Sequence, residues 1–296
     1  MPLDYFVVDV FTDTPLQGNP LAVVFDTAGL ATEKMQAIAR EFNLSETTFV
    51  QRRPAAVEHA EGVRVRIFTT QEELNFAGHP TLGTASVLKM QAPETVSDST
   101  VTLALNVGPV PVRFSGSGLH GEMTQRDPEF GAELDHAAVA QLLGLSPDDL
   151  DPALAPQVVS TGTAFAIVVL RSVQALGRLR VNQEAATPWL RERGARWFYV
   201  LAPNAGAQSG QPAWRARMQF YDGEDPATGS AAGCAISYLV ERQAVPSGQQ
   251  INVQQGVEMG RPSNLFLSAK STLARVTDVR VGGSTVSVAN GHIFQP

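Results

Sequence analysis

Tyr221-Asp222-Gly223-Glu224-Asp225-Pro226-Ala227-Thr228-Gly229-Ser230-Ala231-Ala232-Gly233 decides how this chain folds once it is set against Asn75-Phe76-Ala77-Gly78-His79-Pro80-Thr81-Leu82-Gly83. Each segment leaves an apolar strand, passes through a turn of small residues and enters an apolar, small-residue helix. Aligning Ala77-Gly78 on Ala227-Thr228 gives an offset of 150, which carries Gly83 onto Gly233. That is close to half of a 296-residue chain. An unusual turn repeated half a length later predicts two copies of one fold facing each other, with a ligand gripped at their junction.

The flanking sequence replays in the same order. Residues 5–11 alternate as a strand, 12–19 are rich in turn formers, and 20–25 read as a buried strand. Thr32 is placed to cap a helix over 33–42, with Met35, Ile38, Ala39 and Phe42 on one face. Strands are expected at 47–50 and at 63–68, where Val-Arg-Val-Arg-Ile-Phe alternates. After the first special turn comes a helix from about 80 to 90, with Pro80 suited to the first helical position. Residues 91–100 read as polar loop and 101–114 as two strands around Gly108-Pro109. Ser115-Gly116-Ser117-Gly118 is the expected boundary. A helix over 136–143 follows Asp135. Then Ser160-Thr161-Gly162-Thr163-Ala164-Phe165 resembles Leu16-Gln17-Gly18-Asn19-Pro20-Leu21 at an offset of 144. A helix near 182–193, strands at 197–201 and 214–221, and the second special turn and helix complete the repeat. Strands within 273–294 are expected to return to the first half. The pattern predicts an α+β protein of two pseudo-symmetric domains, 1–117 with about 280–296, and 118–279.

Composition narrows the function. The chain is 44% hydrophobic and 17% charged, as a globular protein is, with net charge −7 and pI about 5.3. That balance argues against nucleic acid or an anionic membrane as the main partner. The single cysteine, Cys234, excludes an intramolecular disulfide and a Cys-rich metal site, and reads as a small buried residue. The chain enters a strand directly and its longest apolar run, 164–170, is too short to span a bilayer, so no signal peptide is expected and cytoplasm is the default location. The five histidines show no paired metal-ligand spacing.

Four residues stand out as catalytic candidates. His79 lies between Gly78 and Pro80 at a helix start; Asp225 and Ser230 flank the opposite turn; Glu46 follows Ser45 just before an apolar strand. Taken singly, each has an ordinary role: a structural histidine, a turn aspartate, a capping serine, a surface glutamate. Symmetry makes Glu46 informative. Its twin falls near Ala195 or Arg196, so no second carboxylate faces it. One unpaired carboxylate suggests a single acid/base that moves a proton on carbon. N–H groups around Gly78 and Gly229, with Thr228 beside the latter, could steady the resulting anion and hold a substrate carboxylate.

At these residues the chain resembles the PhzF-like phenazine-biosynthesis isomerases, on the diaminopimelate-epimerase fold. The resemblance rests on Gly18-Asn19-Pro20-Leu21-Ala22-Val23-Val24, Leu44-Ser45-Glu46-Thr47, the two special turns and Gln255-Gly256-Val257-Glu258-Met259-Gly260-Arg261-Pro262-Ser263. It implies two halves, each a curved mixed sheet around a central helix, with the active site in the cleft. It also implies a homodimer without cofactor or metal and a small carboxylate-bearing substrate. Glu46 would be the catalytic carboxylate, and His79, Asp225 and Ser230 its polar support. The epimerases of this fold use paired cysteines; Gly78 and Thr228 stand at those positions here, so inversion by that route is excluded.

Two other classes compete. A serine hydrolase would use Ser230, His79 and Asp225, but Thr228 and Ala232 stand where the nucleophile elbow needs glycine. A non-catalytic binding protein on the same scaffold would have no need of Glu46, His79, Asp225 and Ser230 together.

Overall fold

A computed structural model describes residues 2–116, 118–204, 213–220, 223–272 and 275–294. Ser117 of the expected boundary, Tyr221 and Asp222 of the second turn, and Leu273 at the head of the tail lie outside the described residues. The chain divides into two compact units, Met1–Met123 with Gly282–Pro296, and Thr124–Val281.

The first unit contains β1 (Leu3–Val10), β2 (Asn19–Val24), α1 (Thr32–Phe42), β3 (Glu46–Gln51), α2 (Ala55–Glu61), β4 (Val63–Phe68), β5 (Glu73–Leu74), α3 (Gly78–Gln91), β6 (Val96–Ser97), β7 (Thr100–Leu105), β8 (Gly108–Phe114) and β9 (Gly121–Thr124). The second contains β10 (Glu129–Glu133), α4 (His136–Leu143), β11 (Gln157–Ser160), β12 (Ala164–Val169), α5 (Val173–Gly177), α6 (Gln183–Glu192), β13 (Trp197–Pro203), β14 (Ala213–Arg217), β15 (Gln219–Phe220), β16 (Gly223–Glu224), α7 (Gly229–Glu241), β17 (Ile251–Gln255) and β18 (Ser263–Ser271). Then β19 (Val276–Gly283) leads to β20 (Thr285–Ile293), which pairs antiparallel with β1.

The two units share one pairing pattern. In the first, β1–β2 is antiparallel, β2–β3 parallel, β3–β4 antiparallel, β4–β7 parallel and β7–β8 antiparallel. In the second, β11–β12, β12–β13, β13–β14, β14–β17 and β17–β18 follow the same alternation. Parallel neighbours need crossover connections. Helices α1 and α3 lie on the two crossovers of the first unit, and α5–α6 and α7 on those of the second. Each unit is therefore a mixed sheet with a central helix, α3 or α7.

Both central helices are buried all round, with small and apolar residues predominating, as suits a helix enclosed by its own sheet. Residues 78–88 of α3 are buried without exception; of 229–240 in α7, Ser230 alone reaches partial exposure. Close approach explains the matched glycines. A Cβ on Gly83 would meet Leu21 Cδ2 at 2.6 Å and Val10 Cγ2 at 2.7 Å, and one on Gly233 would overlap the Gln125 amide.

The hairpins leading into the central helices are tied alike. Arg66 on β4 donates to Glu73 on β5 through Nε (2.8 Å) and Nη2 (2.5 Å). Arg217 on β14 donates to Glu224 on β16 through Nε (2.8 Å) and Nη2 (2.6 Å). Each is a bidentate, charge-assisted fork.

Several boundaries differ from the sequence reading. Thr32 is the first residue of α1 rather than its cap, and its hydroxyl accepts from Arg66 Nη2. Helix α3 begins at Gly78, so Pro80 is its third residue; the first four helical N–H groups have no intrahelical acceptor, and proline there costs no bond. Within 91–100, β6 pairs with β7. The β7–β8 turn falls at Asn106-Val107, leaving Gly108-Pro109 in β8. The strand expected over 214–221 breaks after Arg217.

Candidate active site

In the first unit, Glu46 and His79 meet around β2. Glu46 is the first residue of β3 and pairs with Leu21 of β2. His79, the second residue of α3, is hydrogen-bonded to the backbone of Pro20, also on β2. Proline has no N–H, so the ring donates to the Pro20 carbonyl. Among the described residues Nε2 has no hydrogen-bond partner, so the donor is Nδ1. The imidazole is 5% exposed, and burial pushes its pKa down to about 3 against the pull of the Pro20 bond. It is therefore neutral at ordinary pH, and Nε2 carries a lone pair. That lone pair lies 3.5 Å from Glu46 Oε2, whose side chain is 16% exposed. Because the ring is neutral, this contact is an imidazole facing a carboxyl group, not an ion pair. A proton on Glu46 would have Nε2 as an acceptor.

In the second unit, Asp225 and Thr228 are joined across the special turn. Thr228 Oγ1 donates to Asp225 Oδ2 at 2.7 Å. Buried Gln255, at the end of β17, bonds the Asp225 carbonyl (2.8 Å) and both Thr228 Oγ1 (2.9 Å) and Thr228 N (3.2 Å). Tyr199 on β13 donates its hydroxyl to Gln255 Oε1 at 3.0 Å. Desolvation first, then the charges of Asp225 and Cys234, push the Tyr199 phenol far up, so it stays protonated. Ser230 is the second residue of α7 and does not cap it. The Cys234 thiol is pushed up to about 11 by burial, in keeping with its reading as an inert core residue.

Neither central helix has a side-chain cap. The first-turn N–H groups that start at Gly78 and at Gly229 thus point from uncapped helix starts, where the positive end of the dipole favours an anion.

Strand register corrects the twin of Glu46. Leu21 pairs with Glu46 in the first unit, and Phe165, the match of Leu21, pairs with Trp197 in the second. The twin is Trp197 rather than Ala195 or Arg196, and it carries no carboxylate. Sequence reasoning also left Gln255, Tyr199, Gln125 and Thr161 without roles. Gln125 donates to the Gly229 carbonyl (2.8 Å) and accepts from Thr161 (2.7 Å), bracing the start of α7. Gln255 lies in a segment that the resemblance used, but nothing in the spacing points it at Thr228.

A family model for phenazine biosynthesis-like proteins, PhzC-PhzF, matches residues 8–291. The chain belongs to the PhzF family. Trans-2,3-dihydro-3-hydroxyanthranilate isomerase of Pseudomonas aeruginosa is 38% identical, over 98% of this chain and 99% of that one. This PhzF-family chain is accordingly an isomerase. A PhzF-family phenazine biosynthesis protein of Bacillus anthracis superposes with a TM-score of 0.86 at 24% identity, covering 100% of both chains. A hydroxyproline epimerase of Agrobacterium vitis, 10% identical, shares the fold with a TM-score of 0.66 over 99% of this chain and 92% of that one. These likenesses place the chain on the diaminopimelate epimerase-like fold. Among the described residues, no group of three or more His, Cys, Asp or Glu could hold a metal, and no helix is long and apolar enough to cross a membrane.

Proposed function

We propose that this isomerase moves a proton between two carbons of a small carboxylate-bearing substrate, with Glu46 as the single acid/base. The observation that carries the reading is the contact of Glu46 with buried His79, 3.5 Å apart, with Trp197 and not a second carboxylate at the matching position of the repeat. Glu46 removes a proton from carbon, and the C–H electron pair enters the substrate's conjugated system. The Glu46 O–H so formed is accepted by His79 Nε2 until the proton is returned at another carbon. No electrons leave the substrate and no second base is required. The uncapped starts of α3, around Gly78, and of α7, around Thr228 and Gly229, each present N–H groups suited to a carboxylate or a delocalised negative charge. Asp225, joined to Thr228, and Ser230, the second residue of α7, are the polar side chains at the second of these starts. The P. aeruginosa relative is named for a ring carboxylate of this class.

The test is solvent exchange. Wild-type protein is incubated in heavy water with trans-2,3-dihydro-3-hydroxyanthranilate and a panel of small unsaturated carboxylates, and mass gain is read. One substrate should acquire a deuteron, and Glu46→Gln should slow its uptake by about 10²- to 10⁴-fold, the range for general acid–base groups. Wild-type uptake in Glu46→Gln would end the assignment.

A further inference from the structure

We propose that Gln255 and Thr228 are positioning residues that fix the Asp225 carboxylate through a one-way chain of hydrogen bonds. The proposal rests on the reading of Asp225 as part of the site. The proton positions follow from chemistry. The Asp225 carbonyl can only accept, so the Gln255 atom facing it at 2.8 Å must be the amide nitrogen. The Thr228 backbone N–H can only donate, so the Gln255 atom facing it at 3.2 Å must be the amide oxygen. Tyr199 donates to that same oxygen, and the second amide hydrogen goes to Thr228 Oγ1 at 2.9 Å. All four positions of the Gln255 amide are then taken, in a side chain with no exposure.

One consequence is directional. Thr228 Oγ1 already receives a hydrogen from Gln255, so its own hydrogen must point elsewhere. Asp225 Oδ2 lies 2.7 Å away and Met218 Sδ 3.5 Å away. An anionic oxygen at the shorter distance outcompetes a thioether. Thr228 is thereby a committed donor to Asp225.

The fold itself does not demand this device. In the first unit the register position of Gln255 is held by Leu105, since β7 lies against β4 as β17 lies against β14. The position of Thr228 is held by Gly78. The same β-topology forms there without the amide or the hydroxyl, so the chain of bonds serves what the second unit does with Asp225.

The experiment reads the carboxylate directly. Protein labelled with ¹³C at the aspartate carboxyl carbon is titrated by NMR, with Asp225→Asn identifying the resonance. Thr228→Val should raise the Asp225 titration midpoint by about one unit, the shift expected on losing a charge-assisted hydrogen bond. Thr228→Ser should restore the wild-type midpoint. Gln255→Leu, which lets the hydroxyl turn away, should shift the midpoint in the same direction by less. Thr228→Ala is read in the same way if the valine variant does not fold. A midpoint in Thr228→Val equal to wild type overturns the proposal. Turnover of trans-2,3-dihydro-3-hydroxyanthranilate is measured alongside: kcat should fall in Thr228→Val with KM little changed, and be restored in Thr228→Ser. An unchanged kcat despite a shifted midpoint also overturns the positioning role. Wild-type protein inert towards this substrate refutes that substrate and leaves the titration to decide the proposal.

Discussion

The fork between Arg217 and Glu224 offers the most demanding test of how the second special turn is held. Its side chains are 5% and 13% exposed, and Arg217 also donates to the carbonyls of Leu176 (3.0 Å) and Gly177 (3.3 Å). Bonding to Glu224 raises the Arg217 pKa above its ordinary value against desolvation. Glu224→Gln would leave a buried guanidinium with those two carbonyls and with Glu258, 4.0 Å away. Breaking a buried pair from one side costs about 3–5 kcal/mol, and the residual partners place this case near about 3 kcal/mol. For a domain of 150–250 residues that lowers the midpoint of thermal unfolding by roughly 6–12 °C. The matching fork, Arg66 with Glu73, is 16% and 23% exposed. Solvent can replace more of its lost bonds, so Glu73→Gln should cost about 1 kcal/mol. Arg217→Met combined with Glu224→Gln should be more stable than Glu224→Gln alone, because no unpaired charge is then buried. Calorimetry of the four proteins decides. A Glu224→Gln loss no larger than that of Glu73→Gln would show that burial does not set the strength of the fork.

Two further outcomes follow from the central helices. His79 has a folded-state pKa of about 3 against an ordinary 6.5, so the unfolded chain binds its proton first as pH falls. Its contribution is complete above about pH 6.5 and is lost on acidification toward pH 3, at up to about 1.4 kcal/mol per pH unit. Urea midpoints measured between pH 6.5 and 4.5 should show wild type losing about 2 kcal/mol more than His79→Asn; parallel curves would contradict a buried neutral ring. Gly233→Ala gains about 1 kcal/mol in helix propensity but drives its Cβ into the Gln125 amide, which bonds Gly229 and Thr161. Losing those buried bonds costs more, and a net loss of about 2 kcal/mol is expected from thermal unfolding; stabilisation would mean that Gln125 can move aside.

How far the sequence could be read depended on whether a signal was local. Val63–Phe68 was legible to the residue because its alternation is a property of six consecutive side chains. The helix His136–Leu143 was legible because Asp135 both precedes it and caps it, accepting from Ala138 N. Thr32 misled because a threonine before a helix fits a cap, yet Arg66 on β4 claims its hydroxyl. Helix α2 went unread: its seven residues start after Pro54 and bury only Glu58, which Arg52 and the Arg53 N–H hold. No apolar face marks it. At the site, His79 stood out by its place beside Gly78 at a helix start, and Glu46 by the lack of a second carboxylate at its twin. The bond from His79 to Pro20 and the Gln255 amide come from strand pairing between distant segments, which spacing does not encode.

The repeat itself separates residues that build the scaffold from residues that act on it. Positions with the same residue in both units play the same mechanical part. Arg66 and Arg217 grip Glu73 and Glu224, and Gly83 and Gly233 admit a neighbour against the central helix. The polar groups of the candidate site lie at positions that differ. Glu46 stands opposite Trp197 in the repeat, His79 opposite Gly229, Thr228 opposite Gly78 and Gln255 opposite Leu105. At each of these positions a side chain that can accept a hydrogen bond is matched in the other unit by one that cannot, while the sheets of both units keep the same alternation of strand pairings. Their occurrence in one copy only agrees with the proposed reading of Glu46 as a single acid/base.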